Sequence, residues 1–300
     1  MKPDTRSFYV DAAQRVIEHI YTHLDEALDL ESLARRACIS PFHFHRVFRG
    51  VVGETPMEMI RRLRMERAAW QLAHTDRPVT AIAFDAGYET HEAFSRSFRA
   101  LYNTPPSGFR QRQYPRIQLA ASCGVHFEPA GTLSPFIARA PGGDHMQVDI
   151  REFPEMRVGS VRHIGPYNQI PEAFGRLGQI AGPAGLFQKP EAAMVALYHD
   201  DPESTPPDQL RSDAGIVVAT DTELPVQLDE QRLPAGKYAV TLHIGPYEQL
   251  GDVWQRFLGD WFPSSGHRAA ETPSYELYLN DPSRTPKDQL RTELRIPLSS

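Results

Sequence analysis

The sequence is poor in the features that would take it out of the ordinary globular class. Only two of its 300 residues are cysteine, Cys38 and Cys123. Two cysteines build neither a disulfide framework nor a thiolate metal cluster, and such usage fits a reducing cytoplasm. Cys38 is expected as a small core residue and Cys123 as a cysteine without a partner. No apolar run approaches the roughly 20 residues of a membrane span. The opening MKPDTRSFYVDAAQ has an early acid and no apolar core, so it does not read as a secretory signal. No acid–base pair, activated nucleophile, phosphate-binding Gly loop or metal-ligand set is evident. The expectation is a non-enzyme without cofactor or metal. Lysine is nearly missing from residues 1–116, where 16 of the 17 basic residues are Arg.

Charge is uneven along the chain. Residues 1–116 carry those 17 basic residues against 14 acidic ones, and 117–300 carry 15 against 24. The bias, though slight, assigns a polyanion such as DNA to the N-terminal part.

That part contains a repeat. Ser40–Arg49 reads SPFHFHRVFR, and fifty residues later Thr90–Arg99 reads THEAFSRSFR. Both open on a hydroxyl suited to cap a helix, and the first adds Pro41 at the favoured next position. Phe44 and Phe48, like Phe94 and Phe98, lie four apart and share a helix face that can anchor in a core. The other face carries Phe42, His45, Arg46 and Arg49 in one copy and Glu92, Ser95, Arg96 and Arg99 in the other, as major-groove reading needs. The preceding segment repeats too, Leu33–Ile39 being echoed by Ile82–Tyr88. Helices are expected over 7–24, Leu30–Ala37, and from Thr55-Pro56 to about Ala73. This last helix, roughly 27 Å long, would set the two reader helices about one DNA turn apart. Its Arg61, Arg62 and Arg64 suit internal structure or phosphate equally. His19 and His23, four apart, have metal-ligand spacing but no third ligand, so they read as a solvated face.

Residues 7–113 resemble the DNA-binding domain of AraC/XylS-type transcription regulators. The resemblance rests on Leu33-Ala34, Phe44-His45-Arg46-Val47-Phe48, the Ile82-Ala83 to Gly87-Tyr88 stretch, Phe94-Ser95-Arg96-Ser97-Phe98, and Thr104-Pro105-Pro106 with Phe109-Arg110. It implies seven helices reading two adjacent major-groove segments of double-stranded DNA, with RNA polymerase as a partner. The implied DNA contacts are Phe42, His43, His45, Arg46 and Arg49 in the first reader helix and His91, Glu92, Ser95, Arg96 and Arg99 in the second. Residues 114–146, with Pro115, Pro129, Pro135, Pro141 and Gly142-Gly143, lose periodicity and read as a linker.

The remainder repeats at an offset of 80. His163-Ile164-Gly165-Pro166-Tyr167 returns as His243-Ile244-Gly245-Pro246-Tyr247, and Asp208-Gln209-Leu210-Arg211 as Asp288-Gln289-Leu290-Arg291. Each copy, about 147–223 and 227–300, reads strand, Gly-Pro break, helix, strand, strand. Two such copies would pair about a pseudo-two-fold axis with a central groove. One departure from symmetry stands out: Glu276 takes the place of Ala196 in a half-buried strand, where a carboxylate needs a cation or hydrogen bonds. Tyr247, Trp254, Phe257, Trp261, Phe262, Tyr275 and Tyr278 surround it in sequence. They suit a groove for a hydrophobic cation, or a plain core with Glu276 paired to Arg291 or Arg295.

Residues 147–300 resemble the GyrI-like effector-binding domain, through the two His-Ile-Gly-Pro-Tyr segments, Tyr275-Glu276-Leu277-Tyr278-Leu279-Asn280-Asp281-Pro282 and Arg295-Ile296-Pro297-Leu298. That family binds lipophilic, often cationic, molecules, and its ligand-binding Glu falls on Glu276. Tyr247, Trp254 and Tyr278 are the expected pocket walls. The whole is expected to be a two-domain cytoplasmic protein, monomer or dimer and without membrane association. An all-α double helix-turn-helix over 1–113 and a linker over 114–146 precede a duplicated α+β domain over 147–300. The expected function is a transcription activator controlled by a small molecule. A hydrolase and a drug-sequestering protein, both using Glu276, are the alternatives.

Overall fold

Among the described residues seven α-helices precede the first strand: α1 (Thr5–Thr22), α2 (Leu30–Ala37), α3 (Pro41–Val52), α4 (Pro56–His74), α5 (Val79–Asp85), α6 (His91–Tyr102) and α7 (Pro106–Gln111). The structure is a computed structural model and describes residues 5–111, 117–140, 146–200, 202, 205–270 and 272–299. The 113/114 boundary, Pro115 and Pro141-Gly142-Gly143 lie outside those residues. The chain divides into two units. One holds Ser7–Cys38 and Phe48–Ala140, the other Met1–Arg6, Ile39–Val47 and Pro141–Ser300.

In the first unit the caps expected at Thr55 and Thr90 form. Thr55 and Glu58 close a reciprocal capping box at the start of α4, with Pro56 next in line. The Thr90 hydroxyl accepts from the amide of Ala93 at the start of α6. Phe94 and Phe98 are buried with Phe109, Leu72 and Ile82. Cys38 differs from expectation. It is exposed and ends α2 in the left-handed conformation, φ 57°, the state Gly87 adopts at the matching turn, φ 84°. Glycine enters that region without penalty, whereas a residue with Cβ is strained there by roughly 1–2 kcal/mol.

Residues 117–140, expected as a linker, contain neither helix nor strand yet pack into this unit. Glu66 of α4, fully buried, accepts the amides of Leu119 and Phe127, at 2.9 and 2.8 Å. It also pairs with Arg62 and His126. Arg62 reaches Glu54 as well, at 2.6 Å, and Arg64 donates to the carbonyls of Leu24 and Glu26. Both are thereby structural, while Arg61 stays exposed. Cys123 is buried beside Glu54 and Arg62, and burial pushes its thiol pKa up, leaving it unreactive. The rings of His19 and His23 lie 4.0 Å apart, tilted by 47°, and no group of three or more metal-ligating side chains occurs among the described residues.

The second unit holds β1 (Asp149–Phe153), β2 (Met156–Ile164), α8 (Ile170–Ala181), β3 (Met194–Tyr198), β4 (Arg211–Val218), β5 (Asp229–Leu233), β6 (Gly236–Ile244), α9 (Leu250–Gln255), β7 (Tyr275–Tyr278) and β8 (Arg291–Pro297). A π-helical stretch, Arg256–Trp261, continues α9. The strands make one antiparallel sheet in the order β1-β6-β8-β7-β3-β4-β2-β5. The repeats meet at β3–β7. Their leading strands are exchanged, β1 pairing with β6 of the second copy and β5 with β2 of the first. Periodicity had indicated three strands per copy; the fourth is this exchanged strand.

The twice-occurring His-Ile-Gly-Pro-Tyr is a strand-to-helix turn. Gly165 and Gly245 adopt φ of 140° and 146°, open only to glycine. His163 Nε2 and His243 Nε2 close onto the carbonyls of Pro166 and Pro246, at 3.1 and 3.2 Å. The turn delivers Tyr167 and Tyr247 to the head of the helix that follows.

Candidate functional site

The register at the pseudo-axis pairs Ala196 with Glu276, so each faces its own repeat equivalent. Two carboxylates at directly opposed positions would repel, which accounts for one copy keeping only a methyl. Ala196 and Ala214 pack with Ile170 and Ala173 of α8, placing Glu276 on the helix-bearing face of the sheet. It is 2% exposed. Trp254 Nε1 of α9 donates to its Oε1 at 2.8 Å. The hydroxyls of Tyr198 and Tyr278 donate to its Oε2 at 2.9 and 2.7 Å. Burial pushes the Glu276 pKa up, and these donors together with the Arg46 guanidinium oppose the rise. The adjoining carboxylate and burial hold both tyrosines protonated.

Around this centre the aromatics follow the repeat. Tyr167 packs edge-on to Tyr198 at 4.8 Å, and Tyr247 to Tyr278 at 5.2 Å. Phe174, the counterpart of Trp254, meets Tyr278 at 5.7 Å. Of the residues expected as walls, Trp254 and Tyr278 bond to Glu276 and Tyr247 packs on Tyr278. Tyr167, Phe174 and Tyr198 were not singled out, although adding 80 to each number gives a residue that was. Phe257, Phe262 and Tyr275 are core. The alternative partner Arg295 is instead bonded to Glu293 and Tyr275. The buried carboxylate is thus held by three neutral donors, with the aromatic rings of both repeats about them.

The reader helices differ from each other. On α6, His91, Glu92, Arg96 and Arg99 are exposed and Ser95 half-buried. On α3, Phe42, His43, His45 and Arg46 are buried and Arg49 half-buried. The expectation of an outward face therefore fails for the first copy in this conformation. The cause is tertiary. Phe42 meets Trp254 edge-on at 6.0 Å, and His43 Nε2 lies 2.8 Å from Ser274 Oγ while its Nδ1 lies 2.7 Å from Ser40 Oγ.

His43 is held neutral there, its pKa lowered from 6.5 to about 3 by burial and then by Arg46. The groups facing it are the two serine hydroxyls and that guanidinium. Protonation opposes this burial, so the contact is at full strength above pH 6.5 and weakens as pH falls below it. Going from pH 7.5 to 5.5 is expected to favour a hydrated His43 by about tenfold. Amide exchange of α3, corrected for intrinsic pH dependence, measures this, and His43→Gln removes the effect if it is assigned correctly.

A family model for the GyrI-like small molecule binding domain matches residues 146–299, half of the chain, and one for a helix-turn-helix domain matches 33–112. The chain belongs to the GyrI-like family. Its GyrI-like half is 35% identical over 141 residues to a DNA gyrase inhibitor of Yersinia enterocolitica, across 45% of this chain and 88% of that one. The helix-turn-helix half is 38% identical over 99 residues to the regulatory protein SoxS of Salmonella typhimurium, across 33% and 92%. It is 37% identical over 103 residues to the HTH-type transcriptional regulator YbfP of Bacillus subtilis, across 34% and 35%. This GyrI-like protein is thus an AraC-type transcription regulator with a small-molecule-binding domain. Among the described residues no helix is long and apolar enough to cross a membrane.

Proposed function

We propose that this regulator is an activator, acting in the cytoplasm with RNA polymerase, whose effector is a lipophilic cation bound at Glu276. The observation that carries the reading is the buried carboxylate with three neutral donors and six aromatic rings around it. No salt bridge to Glu276 forms among the described residues, and the charge of the Arg46 guanidinium acts on it without pairing with it. Against the hydrolase reading, the bonds from Trp254, Tyr198 and Tyr278 already occupy both oxygens of Glu276, and among the described residues no second acid–base group stands beside it in a pairing suited to proton transfer. Against sequestration alone, α6 presents an intact capped helix with His91, Glu92, Arg96 and Arg99 outward.

DNA reading is tested on α6, where the expected contacts are accessible. Arg96→Ala is expected to weaken binding to the regulator's own upstream DNA by about 1–3 kcal/mol at fixed salt, with a smaller effect on unrelated DNA. Equal affinity in the variant and the parent on both DNAs would remove α6 as a sequence reader.

A further inference from the structure

The first half of α3 and the residues around Glu276 belong to one unit, and Phe42 and His43, which contact Trp254 and Ser274 there, are among those expected to read DNA. Phe42 sets its ring against Trp254, which itself donates to Glu276. The Arg46 guanidinium lies over the Phe42 ring, 5.0 Å from its centroid. An aromatic ring carrying a positive charge is the chemistry the groove suits, here supplied by the chain itself. Gly259 lies against the same helix, since a Cβ there would stand 3.3 Å from the Arg46 carbonyl. The repeat-equivalent position in α8 is Gln179, and at the positions of Phe42 and His43 the second reader helix has Glu92 and Ala93. Neither the second reader helix nor the first copy carries the residues that make this contact.

We propose that Phe42 and Arg46 act as an internal effector mimic: they hold the first reader helix in the aromatic groove, and a lipophilic cation entering the groove displaces them and frees that helix for DNA. The inference rests on the effector reading above and adds to it the means of control. A ligand shifts such an equilibrium only through different affinity for its two states. Here the difference is steric, because Phe42 occupies the edge of Trp254, one of the rings the cation needs. While docked, the helix lowers apparent cation affinity by the fraction of molecules that are open.

The test uses the full chain, tetraphenylphosphonium as the cation and tetraphenylborate as an anion of the same shape. Gly259→Gln places the copy-one side chain at the contact, and Ser274→Ala removes the partner of His43; neither residue is expected to touch DNA. DNA affinity at fixed salt and amide exchange over α3 are read for each protein. Phosphonium, and not borate, is expected to raise wild-type DNA affinity about tenfold and to speed exchange in the first half of α3. Both variants are expected to show raised DNA affinity and faster exchange with no cation, and to bind phosphonium more tightly than the wild type. Phosphonium binding that leaves exchange and DNA affinity unchanged, with both variants like the wild type, overturns the inference and leaves the effector reading intact. Variants that gain DNA affinity while neither they nor the wild type bind phosphonium support the docked helix and overturn the cation as its displacer.

Discussion

Glu276→Gln is expected to lower affinity for tetraphenylphosphonium by about a hundredfold or more, read by titration followed through Trp fluorescence. The substitution keeps the volume and an oxygen for the Trp254 or tyrosine donors but removes the charge. Breaking a buried ion pair by removing one partner costs about 3–5 kcal/mol, and each 1.4 kcal/mol is tenfold in affinity. Stability should move the other way. Burial raises the Glu276 pKa, so the folded state binds a proton more readily than the unfolded chain. This acid therefore disfavours folding at pH values above its raised pKa, and the penalty fades as pH falls toward 4.5. The unliganded Gln variant should melt at or above the parent temperature at neutral pH, with the difference vanishing in acid. Unchanged phosphonium affinity with a normal melt would take Glu276 out of the ligand site.

Glu66→Ala is expected to destabilise the helical unit by about 3–5 kcal/mol, a fall of roughly 10–20 °C in melting temperature for a unit of this size. The carboxylate is fully buried and is shared by Arg62, His126 and the amides of Leu119 and Phe127. Its removal strands a guanidinium still paired to Glu54 and leaves two amides without their acceptor, each worth about 1–3 kcal/mol when buried. Glu31→Ala supplies the contrast. Its ion pair with Arg35 spans 3.6 Å between side chains more than 70% exposed, and such pairs contribute about 0–1 kcal/mol. A Glu66→Ala melt as close to wild type as that of Glu31→Ala would mean that the strap over 117–140 is not held by this carboxylate.

The Glu66 site was not visible in the sequence, because nothing in a Pro-containing stretch without periodicity tells which helix its amides will meet. The Glu276 site was largely visible. A carboxylate opposite an alanine in a constant 80-residue offset marks a broken symmetry, and the offset also contained Tyr167, Phe174 and Tyr198. The exchanged strands β1 and β5 were missed for a different reason. Both are edge strands with mostly exposed residues, so they carry no alternation of buried and solvated positions for a pattern to reveal.

Two reader helices, their buried Phe pairs, the capping box at Thr55 and the duplicated strand–helix units follow from the sequence by itself, because each depends on residues within a turn or two of one another. Burial of Phe42, His43, His45 and Arg46 does not follow. Their spacing makes an outward face on an isolated helix, and α6 keeps that face exposed with the same pattern. Whether such a face meets water or a groove depends on partners more than 200 residues away, Trp254, Gly259 and Ser274. Local periodicity sets which side of a helix is apolar; only tertiary packing decides what the other side touches.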